Sequence, residues 1–295
     1  MKNLNYHKGD AVAGYKLLQL LGTGESGEVW SAITPNRSIV ALKIYNGNEA
    51  NKYKAEYEYR MATSVEHRCI LKPTQLLLVN EHPALVMPFC GGRSVDSVAG
   101  YMGERMIWQL IADISAALNA LHEVGYGHFD VKPSNILWNG NFMLTDFGAC
   151  RSIDSHCPAE TAFDASSYRF DAPELNHNTQ LSSDIWSLGA TVFYLYMGSH
   201  VFNGLGGRVQ QARTPLPYMR KSLPVLSELV MRCLAFNAKE RPMAKEIIHL
   251  ANHELERLET SPRVRHRKHS EPQVVYEHVS SYWPDDMIES IKKVL

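Results

Sequence analysis

Three clusters in this 295-residue sequence carry residue types that could do chemistry on a polyphosphate. Asp130, Lys132 and Asn135 offer a proton acceptor, a cation and an oxygen ligand within six residues. Asp146 follows Asn135 by eleven residues and adds a second hard oxygen. Such oxygens suit Mg²⁺, which completes its shell with water and phosphate oxygens. Upstream, the glycines of Gly22-Thr23-Gly24-Glu25-Ser26-Gly27 permit positive φ and let backbone N–H groups approach phosphate closely. Lys43 stands on the next apolar stretch. The implied chemistry is phosphoryl transfer, which asks a protein mainly for positioning and charge neutralisation.

The elements that must position these residues fall into two regions. Tyr15–Leu21 and Glu28–Ile33 read as strands flanking the glycine turn, and Ile39–Tyr45 as a third. A helix is expected over Glu49–Glu66, then strands over Gln75–Val79 and Ala84–Met87. Pro88 and Gly91-Gly92 break the pattern, and helical periodicity follows at Glu104–Val124, Asp184–Met197, Pro224–Phe236 and Met243–Leu258. A dinucleotide-binding fold would open a helix at its third glycine, whereas Glu28–Ile33 looks like a strand. The fold class is therefore α+β and bilobal. A β-rich N-lobe with one helix (12–87) joins a mainly helical C-lobe (93–258) through a hinge at 88–92. Residues 259–295 differ: a basic linker with Arg263, Arg265, Arg267 and Lys268 precedes a short helix expected from Trp283-Pro284-Asp285-Asp286.

Composition narrows the classes. Thirty basic against thirty-one acidic residues offer no field to attract nucleic acid. The most apolar stretch, from Ile107 to Val124, is interrupted by Gln109, Asp113, Asn119 and His122, so it reads as a core helix and not a membrane span. No signal peptide is visible at the start. Five cysteines without a C-x-x-C pair read as reduced thiols, which points to a cytoplasmic protein.

The run His128-Phe129-Asp130-Val131-Lys132-Pro133-Ser134-Asn135, then Asp146-Phe147-Gly148, resembles the eukaryotic-type protein kinase family, as does the glycine turn with Val29 and Ala41-Leu42-Lys43. The resemblance covers roughly residues 12–258. It implies an ATP- and Mg²⁺-dependent enzyme in which Asp130 orients the substrate hydroxyl and Lys132 stabilises the transferring group. Asn135 and Asp146 would hold the metal. It implies that Lys43 binds the α- and β-phosphates beside a helix glutamate, Glu58 by spacing or else Glu56. Gly22, Thr23, Gly24, Glu25, Ser26 and Gly27 would cover the phosphates. Val29, Ala41, Met87, Phe89, Cys90 and Leu137 would surround the adenine.

Lys132 in that spacing resembles the serine/threonine branch. Ala172-Pro173-Glu174, the run from Asp184 to Gly189, and Arg241 placed to pair with Glu174 favour a protein substrate over a small molecule. A catalytically silent scaffold is the other competing reading, although every position the chemistry needs is filled. One departure stands out: Phe129 replaces the family's usual arginine, which in many relatives receives an activation-segment phosphate. Activity independent of activation-segment phosphorylation is the expectation. Ser166 and Ser167, with Ser270 behind Arg267-Lys268-His269, are the candidate autophosphorylation sites. Cys157 reads as an ordinary loop thiol. Arg93 stands where basophilic relatives often carry an acid.

Overall fold

The computed structural model describes residues 4–24, 26–91, 94–153, 167–175, 179–219 and 223–260. Glu25, Gly92, Arg93, Cys157, Ser166, the side chain of Ser167 and the whole of 261–295, with Ser270 and the expected terminal helix, lie outside the description.

Alternating apolar residues build a six-stranded antiparallel sheet from β1 (Ala11–Val12), β2 (Tyr15–Gly24), β3 (Gly27–Ile33), β4 (Ile39–Tyr45), β5 (Gln75–Val79) and β6 (His82–Pro88). Its order is β1-β2-β3-β4-β6-β5. Strand alternation sends Trp30, Leu42, Ile44, Ala84 and Val86 to one face and Ala41, Tyr45, Leu85 and Met87 to the other. Helix α1 (Glu49–Ser64) covers the second face through Ala55. It begins at Asn48, whose side chain accepts from the Asn51 N–H at 2.7 Å.

Beyond the hinge come α2 (Glu104–Glu123), then β7 (Tyr126–Gly127), β8 (Ile136–Trp138), β9 (Phe142–Leu144) and β10 (Arg151–Ser152). Strands β8 and β9 form one hairpin, and β7 pairs with β10 across the catalytic segment. Helices α3 (Leu181–Met197), α4 (Pro224–Cys233) and α5 (Ala244–Thr260) complete the large lobe. One core runs through Trp108, Phe147 and Trp186 and takes in Met61 and Ala62 of α1 with Val65 just beyond it. The N-lobe helix is thus packed against the large lobe as well as its own sheet. No helix among the described residues is long and apolar enough to cross a membrane.

Two helix limits differ from the periodicity by three residues, each for a local reason. Helix α3 starts three residues early because Gln180 and Ser183 cap it reciprocally. Helix α4 stops at Cys233, and the carbonyls of Ala235 and Phe236 accept instead from Arg241 at 2.9 and 3.2 Å. Arg241 also makes the anticipated fork to Glu174, at 2.6 and 2.9 Å, and donates to the Ser182 carbonyl at 3.0 Å. Its side chain is fully buried.

Candidate active site

The strand register gathers one wall of the site. Val29 pairs with Lys43, and Lys43 with Leu85, while Ala41 lies between Ser31 and Met87. Directly paired residues share a face, so Val29, Ala41, Lys43 and Met87 all project toward the cleft side of the sheet. Phe89 and Cys90 follow at the end of β6, with Cys90 buried, and Leu137 on β8 bridges to Ser94.

The glycine turn is the tip of the β2–β3 hairpin, where Gly24 pairs with Gly27. Gly22 and Gly24 lie in β2 without positive φ and with open space beside them, so the expected positive φ is not found at either. Gly27 is different. A Cβ there would lie 2.0 Å from the Ile44 carbonyl oxygen, so the hairpin can lie on β4 only with glycine at this position. The Asn46 N–H donates to the Ser26 carbonyl at 2.9 Å and ties the tip to the end of β4.

Lys43 Nζ meets both oxygens of Glu58 at 2.9 and 2.7 Å and Asp146 Oδ1 at 3.1 Å. Glu56 is exposed, so of the two candidate partners the lysine pairs with Glu58. Burial alone would depress the lysine, but Asp146 and Glu58 outweigh it and hold Lys43 well above its ordinary pKa. Burial likewise would raise Asp146, yet Lys43 pulls it below the usual carboxylate range. Glu58 ends up raised, because burial exceeds the opposing pull of Lys43.

Opposite this wall, the catalytic segment is fixed from the core of the large lobe. Asp184, fully buried on α3, accepts from the backbone N–H groups of His128 and Phe129 at 2.8 and 2.7 Å, and its Oδ2 lies 2.9 Å from His122 Nε2. Asn135 Nδ2 donates to the carbonyl and to Oδ2 of Asp130 at 2.9 and 2.8 Å. Lys132 Nζ is 3.0 Å from Asp130 Oδ2. Burial raises Asp130 above the usual aspartate range, with Lys132 opposing. The backbone N–H of Thr145 donates to the Asn135 carbonyl at 3.0 Å, which sets Asp146 beside Asn135. Asp146 adopts left-handed backbone, φ 65°, at the start of a short turn whose Phe147 is buried in the core.

Phe129 also has positive φ, 58°. Its ring occupies the space beside Gly127, where a Cβ would fall 2.1 Å from Phe129 Cζ. Above the ring sits the Arg151 guanidinium, 4.5 Å from the centroid, and Arg151 donates to Ala149 O and Thr179 Oγ1 at 3.2 and 3.1 Å. This stack escaped sequence reasoning, as did Tyr45, whose hydroxyl donates to Glu58 Oε2. The signal for Tyr45 was available: it lies two residues after Lys43 on a strand, hence on the same face.

The chain matches the protein kinase domain over residues 15–251. It is 28% identical over 260 residues to a probable cell division protein kinase of Encephalitozoon cuniculi, covering 81% of this chain and 97% of that protein. It is 27% identical over 233 residues to the serine/threonine-protein kinase PknA of Mycobacterium tuberculosis, covering 71% of this chain and 53% of PknA. To the serine/threonine-protein kinase AtPK2/AtPK19 of Arabidopsis thaliana it is 27% identical over 212 residues, covering 68% and 45%. The match thus spans nearly all of the first relative and about half of the other two. With the domain match, these relationships make the chain a member of the eukaryotic-type protein kinase family, in its serine/threonine branch.

Proposed function

We propose that this chain transfers the γ-phosphate of ATP, with Mg²⁺, to serine or threonine hydroxyls of proteins, and that residues 12–258 are the catalytic unit. The observation that carries the reading is that Lys43 of the small lobe meets Asp146 of the large lobe, which the Thr145–Asn135 backbone bond sets beside the Asp130–Lys132–Asn135 cluster. Asp130 accepts or orients the substrate hydroxyl proton, and its raised pKa makes it a better acceptor than an ordinary aspartate. Lys132 faces the transferring group, and Lys43 the α- and β-phosphates. The donor set suits a magnesium ion: with Nδ2 turned to Asp130, Asn135 keeps its amide oxygen for a cation, and Asp146 keeps the oxygen that Lys43 does not take. When bound, the ion neutralises the charge developing between the β- and γ-phosphates.

We also infer that activity does not await activation-segment phosphorylation. Support comes from the Phe129–Arg151 stack, which anchors the start of that segment where relatives carry a phosphate-receiving arginine. Ser166→Ala should retain wild-type activity, and a fall to background would overturn this point. The four buried free thiols, Cys69, Cys90, Cys150 and Cys233, support a reducing, cytoplasmic setting.

The main test is incorporation of labelled phosphate from ATP into a mixed protein substrate, followed by phosphoamino-acid analysis. Wild type should yield phosphoserine or phosphothreonine, and Asp130→Asn and Asp146→Ala should each lose roughly a thousandfold or more. Wild-type rates in D130N would sink the proposal.

A further inference from the structure

Tyr45 places a polar atom where packing asks for none. Its ring is 1% exposed and sits among Ala41, Ala55, Leu85 and Met87, a space phenylalanine would fill equally. Yet its hydroxyl points at the buried Glu58 carboxylate and donates to Oε2, the oxygen that also receives Lys43 at 2.7 Å. The Lys43 ammonium lies 5.2 Å from the centre of the same ring. One tyrosine therefore touches both members of the lysine–glutamate pair.

The two donors to Glu58 are not equivalent. Lys43 is a flexible four-carbon arm whose charge is shared with Asp146 at 3.1 Å. A lysine that also serves phosphates cannot by itself fix the carboxylate it leans on. The tyrosine has two rotatable bonds, its ring is held by packing on all sides, and its own carbonyl lies 3.0 Å from His82 Nδ1. Its hydroxyl is the rigid donor of the pair.

We propose that Tyr45 is a positioning residue for phosphoryl transfer: its hydroxyl fixes the Glu58 carboxylate and, through it, the register of the Lys43 ammonium. The inference rests on the ATP-dependent reading above. Tyr45 contacts no reacting atom, so removing the hydroxyl acts on the geometry of the pair and leaves the nucleotide pocket lined as before. The same bond ties α1 to β4.

The test is Tyr45→Phe in the full chain, alone and combined with Glu58→Gln. In the Glu58 background kcat should fall roughly tenfold to a hundredfold, the size of a lost hydrogen bond to a charged group, while KM for ATP moves less than about threefold. In the E58Q background the same change should cost less than about twofold, because the hydroxyl's target is already altered. An unchanged kcat in Y45F, or an equal loss in both backgrounds, overturns the proposal. Melting temperatures of the same four proteins without nucleotide provide a second reading that holds even if Y45F is poorly folded. Y45F should lower the wild-type value and leave that of E58Q nearly unmoved, and equal drops in both overturn the proposal. An inert wild type would refute the functional reading, whereas an active wild type with an indifferent Y45F refutes this inference alone.

Discussion

Removal of the Arg241 guanidinium should nearly unfold the large lobe. The group is fully buried and makes five hydrogen bonds: two to Glu174 and one each to the carbonyls of Ser182, Ala235 and Phe236. Arg241→Ala leaves a carboxylate that is 15% exposed with Ser183 Oγ, at 2.7 Å, as its remaining side-chain donor. Breaking a buried pair by deleting one partner costs about 3–5 kcal/mol. Water entering the vacated space will satisfy part of what the carbonyls lose, so a total of about 4–6 kcal/mol is reasonable. For a domain of this size that is a fall of roughly 10–20 °C in melting temperature. Arg241→Lys keeps the charge but cannot span both carboxylate oxygens and the carbonyls, and should fall between.

The pH dependence of this pair has a definite sign. Burial would raise Glu174, but Arg241 overrides it and holds the folded-state pKa below the ordinary value. A depressed carboxylate contributes stability in full above its unfolded pKa, about 4.3, and that contribution disappears as pH falls through the folded one. Glu174→Gln should therefore melt well below wild type at pH 7, and the gap should narrow below about pH 4. Differential scanning calorimetry across pH 3–7 reads both effects. An R241A protein melting within about 3 °C of wild type, or an E174Q gap that stays constant with pH, would refute the reasoning.

Other outcomes follow from neighbouring features. Gly127→Ala drives a methyl into the Phe129 ring, so it should destabilise by about 1–3 kcal/mol and reduce activity, whereas the same change made on top of Phe129→Ala should cost much less than in the wild type. Circular-dichroism melts of the three variants check this, and a G127A protein as stable as wild type would count against the packing described. Burial pushes the Cys90 thiol up to about 11 and those of Cys69, Cys150 and Cys233 to about 12. None of the four should be alkylated by iodoacetamide in the native protein at neutral pH, and all should be labelled after denaturation. Peptide mass spectrometry reads this directly, and rapid native labelling of Cys90 would contradict its placement.

The candidate site was legible because its residues sit at fixed short spacings on one turn or loop. Asp130, Lys132 and Asn135 lie within six residues, and the backbone alone brings them together. Glu58 was legible for a different reason: it stands nine residues before His67, the spacing the family resemblance implies, with Glu56 as the alternative, and Glu56 is exposed. Long-range pairings were not readable. Strands β7 and β10 are two residues each, too short for any periodicity, and they pair across twenty-four residues of chain. The early end of α4 depends on a guanidinium several residues beyond it. Tyr45 reads as core because its ring is core, although its place two residues after Lys43 on a strand already puts it on that lysine's face.

The interlock of Gly127 with Phe129 makes what either position tolerates depend on the other. A branched residue at 127 collides with the ring while phenylalanine is present. An arginine installed at 129 while glycine is present leaves a hole and strips Arg151 of its platform. Each change is harmful while the other position stays as it is, so a lineage can exchange this pair only by altering both positions together.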